Sequence, residues 1–175
     1  MQNWWCDVLE KLAIFSQEDL VKVSYSQLSD IKEFAKTNKC NRSRLCLHDS
    51  PENKLQDMFI CRTKDDVELP HKHEHPESHI IIEGAEIIVL FDYTGKITDA
   101  FLLEKDKGYL AYRVDKALYH ATIVLTDLAV DYEVKLGPYR KDEVFYADWK
   151  VDKVCMDKII RDIMIDSGYS VPMNM

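Results

Sequence analysis

The pattern of apolar and polar positions changes period twice along the chain. In residues 1 to 15, Trp5, Leu9 and Leu12 fall on one helical stripe with Trp4 and Val8 beside it, which predicts a short amphipathic helix. The paired tryptophans are read as packing onto the protein's own surface, with a dimer contact as the alternative. Leu20 to Ser24 alternates as a strand does. Ser24-Tyr-Ser-Gln27 then has the form of a capping box opening a second helix, whose buried face is Leu28, Ile31, Phe34 and Ala35. Asn38 to Asn41 break that helix.

From Arg44 the period shortens to two. Short runs rich in β-branched and aromatic residues predict strands over Arg44 to His48, Gln56 to Arg62, Ser78 to Glu83, Glu86 to Phe91, Lys96 to Leu103, Gly108 to Val114, Tyr119 to Leu125 and Asp127 to Leu136. Turn signals separate them at Asp49 to Asn53, Glu83-Gly84, Asp92 to Gly95, Asp106 to Gly108 and Thr126-Asp127, and Gly137-Pro138 closes the series. After Trp149 the helical period returns, with Val151, Cys155, Ile159 and Ile163 on a stripe flanked by Ile160 and Met164, and Ser170 to Met175 reads as a frayed tail. About eight short strands with no helices between them imply an antiparallel sandwich or barrel of the jelly-roll kind. The expectation is therefore a mostly β fold with flanking N- and C-terminal helices. It forms one domain: an extension over residues 1–41, a jelly-roll core over 42–149, and a C-terminal helix and tail over 150–175.

Composition narrows the picture. A chain of 175 residues with 46% hydrophobic content can bury one sizeable core. No apolar run approaches the roughly 20 residues of a membrane helix, and the N-terminus lacks the basic start and apolar core of a signal peptide, so the cytoplasm is the expected location and no membrane partner is expected. Five cysteines, scattered and without a Cys-x-x-Cys pair, argue against a disulfide framework or a thiolate zinc site and read as reduced, mostly buried small hydrophobes. A formal charge of −8 argues against nucleic acid as a partner.

The candidate chemistry lies between Pro70 and Gly84, which holds four of the six histidines. On an extended strand His71 and His73 project from one face, and Glu77 can return a carboxylate to that face after the turn at Glu74-His75-Pro76. Three ligands in seven residues leave positions for a distant ligand, water or substrate. Glu74 and His75 themselves read as exposed turn residues.

His71-x-His73-x3-Glu77-x6-Gly84 resembles the first motif of the cupin superfamily, jelly rolls whose cavity holds a metal. The second cupin motif implies a fourth ligand at His120. Gly108 is in place there, but the family's Pro, second Gly and Asn are absent and one extra residue precedes His120. Within the superfamily the chain is most similar to the WbuC-type cupin-fold metalloproteins of bacterial surface-polysaccharide and O-antigen gene clusters. The likeness runs from about Leu20 to Trp149. Its marks are Leu20 to Ser24, Arg44 to His48, the Pro-His-Lys-His block, Glu77-Ser78, Phe91-Asp92 with Gly95, Tyr119-His120, and Glu133 with Gly137-Pro138-Tyr139. That family reads Glu-Ser-Phe-His where this chain has Glu77-Ser78-His79-Ile80, which moves an imidazole by one place.

Three imidazoles and a carboxylate suit one divalent transition metal: iron, manganese, nickel, cobalt or zinc. Beyond the ligands, His79, Arg44, Tyr112 and Arg113 are candidate substrate contacts, Arg113 through the bidentate fork that suits phosphate. His48 and Glu133 are the candidate proton carriers, Glu133 if the Asp131-Glu133-Lys135 face turns inward rather than to water, since a carboxylate beside a cavity can titrate near neutrality. The resemblance implies an enzyme of isomerase, epimerase or oxygenase type acting on a sugar or nucleotide sugar, and a homodimer. A small-ligand binder or sensor is the alternative. A third reading is an epimerase using histidines without metal, against which no Asp stands in an obvious position to orient one of them.

Overall fold

In the computed structural model, which describes residues 4–6, 13–115 and 117–172, the alternating segments become strands of two facing sheets. The strands are β1 (Trp4–Cys6), β2 (Ala13–Ser16), β3 (Arg42–Cys46), β4 (Leu55–Thr63), β5 (His71–His73), β6 (Glu77–Glu83), β7 (Glu86–Phe91), β8 (Ile97–Leu103), β9 (Ala111–Val114), β10 (Tyr119–Val124), β11 (Leu128–Leu136) and β12 (Val144–Tyr146). Helix α1 (Tyr25–Thr37) precedes β3 and helix α2 (Lys153–Asp166) follows β12. One sheet runs β1-β2-β3-β4-β11-β6-β9 and the other β12-β5-β10-β7-β8. All pairings are antiparallel except β2 with β3. Consecutive strands β6 and β7 lie in different sheets, so the chain wraps as a jelly roll and encloses the space between them.

Each sheet has an apolar outer face with a helix on it. Ile31 and Ala35 of α1 are fully buried and pack with Leu45, Cys61 and Val130 of the seven-stranded sheet. Ile160 and Met164 of α2 pack with Ile87, Val89 and Phe91 of β7, while Ile88, on the opposite face of β7, meets Ile81, Leu103 and Ala129 between the sheets. Burial on both faces explains why β7 reads as an unbroken apolar run. Gly84 lies in the turn from β6 to β7 at φ +79°, where an added Cβ would come within 2.4 Å of the Leu128 carbonyl, so this position of the histidine motif serves the backbone.

The capping box forms as read. Ser24 Oγ accepts from Gln27 N–H, and the Ser24 N–H donates to Gln27 Oε1 at 2.8 Å. Phe34 is only partly buried on the α1 face. The N-terminal helix expected over residues 1–15 is not what the described part forms: residues 4–6 and 13–16 are strands, and residues 1–3 and 7–12 lie outside the described residues, as do 173–175 of the expected tail. Pairing beside β3 lets Ile14 and Phe15 bury in the sheet, which a short isolated helix could not offer them. Leu20 to Ser24 forms no strand, and Leu20 is 70% exposed, because β2 already occupies the edge beside β3. On α2 the apolar stripe runs through Met156, Ile160, Ile163 and Met164, leaving Cys155 exposed. Cys46 and Cys61 are buried while Cys40 is exposed, and these three and Cys155 are free thiols. No helix among the described residues is long and apolar enough to cross a membrane.

Truncating Ile31 to Ala is expected to cost about 2–5 kcal/mol of stability and Ser24 to Ala about 1 kcal/mol, as read by urea denaturation. Equal, small effects would show that α1 is not anchored as described.

Candidate metal centre

The two sheets supply different chemistry to the space between them. His71 and His73 stand on β5 and His120 on β10, strands whose register sets His120 opposite His71. Glu77 comes from β6 in the facing sheet. The ligand-capable nitrogens of His71, His73 and His120 lie within 4.8 Å of one another. The Glu77 carboxylate sits among them: Oε1 is 2.8 Å from His120 Nε2, and Oε2 is 3.3 Å from His73 Nε2. All four expected ligands therefore meet at one place. Their wall encloses a cavity of about 250 Å³.

Backbone carbonyls orient two of the rings. His71 Nδ1 donates to Leu69 O at 2.9 Å and His120 Nδ1 to Leu118 O at 3.1 Å, which points Nε2 of each at the common centre. Burial lowers the pKa of His71 and brings that of His73 down to about 4, so both offer neutral nitrogens at pH 7. Burial opposes charge on His120 too, but its hydrogen bond to Glu77 raises its pKa, and burial of Glu77 is outweighed by the imidazoles of His120 and His79, which hold that carboxyl well below its usual range. Three convergent nitrogens and an ionised carboxylate are a donor set that fits a divalent transition ion.

Behind Glu77 lies a line of buried charge. His79, on the same face of β6, has Nε2 3.5 Å from Glu77 Oε1, and its Nδ1 donates to Asp131 Oδ2 at 2.7 Å. Asp131 also accepts from the Arg62 guanidinium, whose Nη1 is 3.6 Å from Glu86 Oε1. Arg42 pairs with Asp66 at 2.8 Å and with Glu68 at 3.1 Å, and Glu68 accepts from the Thr122 N–H. Burial disfavours the His79 cation, yet Asp131 and Glu77 raise its pKa to about 10. Burial and Asp131 push Glu86 up to about 8. Tyr112, the cross-strand neighbour of His79, stacks on its ring at 4.7 Å between centroids and 2° between planes.

The structure sorts the remaining candidates. Asp131, Glu133 and Lys135 turn inward, so their face of β11 is not a wet one, and Asp131 takes the orienting position beside a histidine that the sequence had left empty. Glu133 does not titrate near neutrality: burial pushes it up, but Lys135 at 2.7 Å outweighs that and leaves it at about 2. Arg44 and Tyr112 line the metal cavity. Arg113 does not: it follows Tyr112 on β9, points the other way and is exposed. His48 also misses it. Its Nδ1 is held by the Asp57 backbone at 3.0 Å and its ring lines a second cavity of about 310 Å³. His75 is an exposed turn residue as read. Sequence reasoning passed over Arg42, Arg62, Glu68 and Tyr146, all of which line the metal cavity. Inward alternation with Met58 and Ile60 was the available signal for Arg62.

Paired sheets wound as a jelly roll, with His-x-His-x3-Glu on consecutive strands of the two facing sheets and a histidine closing the ring from β10, define the architecture. The fold is a jelly roll. A domain of unknown function, DUF6016, matches residues 23–103. Solved structures to which the chain is similar include CapF, a capsular polysaccharide assembling protein from Staphylococcus aureus, at 13% identity and TM-score 0.49 over 62% of this chain and 30% of that one. KdgF from Halomonas sp. is 20% identical at TM-score 0.43, over 58% of this chain and 82% of its own. Oxalate decarboxylase from Bacillus subtilis is 15% identical at TM-score 0.46, over 68% and 29% respectively. This chain thus spans under a third of CapF and of oxalate decarboxylase. A search of curated proteins finds no match. The fold is read from strand order and register, not from these likenesses.

His71→Ala and Glu77→Gln are each expected to empty the site, measured by elemental analysis after purification without added ions; full occupancy surviving both would sink the ligand assignment. Because His120 must give up its Nε2 proton to ligate, metal affinity is expected to rise with pH through the raised His120 pKa and then level off. His73 at about 4 and Glu77 below its usual range add nothing to that slope between roughly pH 5 and 8. Competition titrations across that window check it, and an affinity flat with pH would contradict the His120 assignment.

Proposed function

We propose that the protein is a mononuclear metal cupin that binds a small polar molecule between its sheets and transforms it, the substrate class being a sugar or nucleotide sugar of bacterial surface-polysaccharide metabolism. The observation that carries the metal reading is the convergence of His71, His73 and His120 on the Glu77 carboxylate in the cavity between the sheets. The substrate class is supported by the sequence resemblance to WbuC-type proteins. When bound, a divalent ion supplies Lewis acidity toward a substrate carbonyl or hydroxyl and, if it is iron, access to dioxygen chemistry.

The chain's own residues give that site its direction. The His79 to Asp131 bond fixes the ring beside Glu77. Glu133, ionised and paired with Lys135, is an acceptor for a substrate hydroxyl rather than a base poised at neutral pH. Tyr112, pinned flat against His79, has its phenol pushed well above its usual pKa by burial, so it enters as a neutral donor.

One observation favours a second reading. Asp131 orients His79 as a carboxylate orients an acid–base histidine, which would suit an epimerase working without metal. Turnover of a panel of nucleotide sugars by metal-loaded and chelator-stripped protein, with and without oxygen, separates the two. Activity present only in the loaded form is expected; equal activity after stripping would move the chemistry to His79, and binding with no turnover across the panel would leave a ligand-binding protein.

A further inference from the structure

A second cavity adjoins the first. Besides the metal cavity, a space of about 310 Å³ is lined by Phe15, Cys46 and Met58, with His48 at its side. Arg44, Lys135 and Tyr139 line both spaces, so the two cavities meet at these three side chains.

The charges at this junction are unequal in one respect. Arg62 is paired with Asp131, Arg42 with Asp66 and Glu68, and Lys135 with Glu133. Arg44 has no ion pair and no side-chain hydrogen bond among the described residues, although it belongs to the cavity wall and is only partly exposed. A guanidinium withdrawn from bulk water and left without a counter-charge is costly unless a ligand supplies one, and its planar fork matches an oxyanion through two parallel hydrogen bonds. The nearest carboxylate, Glu133, is already engaged by Lys135. Beyond Arg44 the second cavity offers an aromatic face, a thioether and a buried thiol, surfaces that suit an apolar group rather than a hydroxylated one.

We propose that Arg44 is an oxyanion subsite, and that the molecule this protein binds carries a carboxylate or phosphate at Arg44, a polar head toward the histidine cluster, and a compact apolar group in the cavity of Phe15 and Met58. This rests on the metal-pocket reading and not on the sugar class named with it, and is measurable apart from it, since the oxyanion and apolar contacts involve none of the metal ligands.

Calorimetric titration of the full chain, metal-loaded and stripped, with benzoate, phenyl phosphate, benzyl alcohol and acetate tests it. Benzoate or phenyl phosphate is expected to bind at least about tenfold tighter than benzyl alcohol in both forms, and the tighter of the two anions identifies the oxyanion. Arg44→Gln is expected to erase that preference at unchanged metal content and unchanged thermal midpoint. Met58→Phe, which fills the second cavity, is expected to weaken benzoate about tenfold and leave acetate alone. Benzyl alcohol binding as well as the anions, anion binding intact in Arg44→Gln, or no anion binding in either form would overturn the proposal. Loss of metal content alone would bear on the metal reading and not on this one.

Discussion

Everything at the centre of this protein depends on keeping ionised groups paired where water does not reach. Arg62, Asp131, His79 and Glu77 form a continuous line between the sheets, each a counter-charge or hydrogen-bond partner for the next. An unpaired charge in such a place costs several kcal/mol, so removing one member strands its neighbours. The line crosses three strands, β4, β11 and β6, and it closes only in the observed register. Register of β4 and β11 in turn is held by their apolar side chains, which face α1 on the outside. Core packing and site geometry are therefore one constraint seen from two sides of a sheet.

This coupling explains which parts could be read from the amino acids alone. Periodicity located most of the strands to within a few residues, and the spacing of His71, His73 and Glu77 brought three donors to one site, although Glu77 reaches it from the facing sheet rather than from the same face. His120 followed from the family resemblance. What alternation could not give was the side of the sheet on which a face lies. Asp131, Glu133 and Lys135 look like a solvated edge because polar residues usually are, yet the outer positions of β11 are claimed by Val130 and Leu128 beneath α1, which leaves the charged set only the interior. The same limit sent Arg113 to solvent while its neighbour Tyr112 went to the pocket. His48 shared a face with Arg44 and Cys46 as its spacing required, but of the three only Arg44 reaches the metal cavity, and Cys46 and His48 line the second one. Strand β12 was missed because three residues carry too little pattern to register against their surroundings.

The sheets also divide the labour. The three converging imidazoles come from the five-stranded sheet, and carboxylates, guanidiniums and the lysine come almost wholly from the seven-stranded one. A ligand entering between them meets soft nitrogen donors on one wall and a dense field of fixed charge on the other. Such an arrangement favours molecules with two unlike ends, and it distinguishes orientation from affinity: the charged wall decides which way a guest lies, whatever holds it there.

Strand β5 is only three residues long, yet it carries two of the four donors. It is held on one side by β10 and on the other by β12, whose Tyr146 stands opposite His71 with the rings 5.9 Å apart. The donors are spread from residue 71 to residue 120, but the strand that presents the first two is not flanked until residue 146 is in place. During synthesis the constellation would consequently stay incomplete until residue 146 has left the ribosome, so that metal capture follows the pairing of β5 with β12 rather than nucleating the sheets.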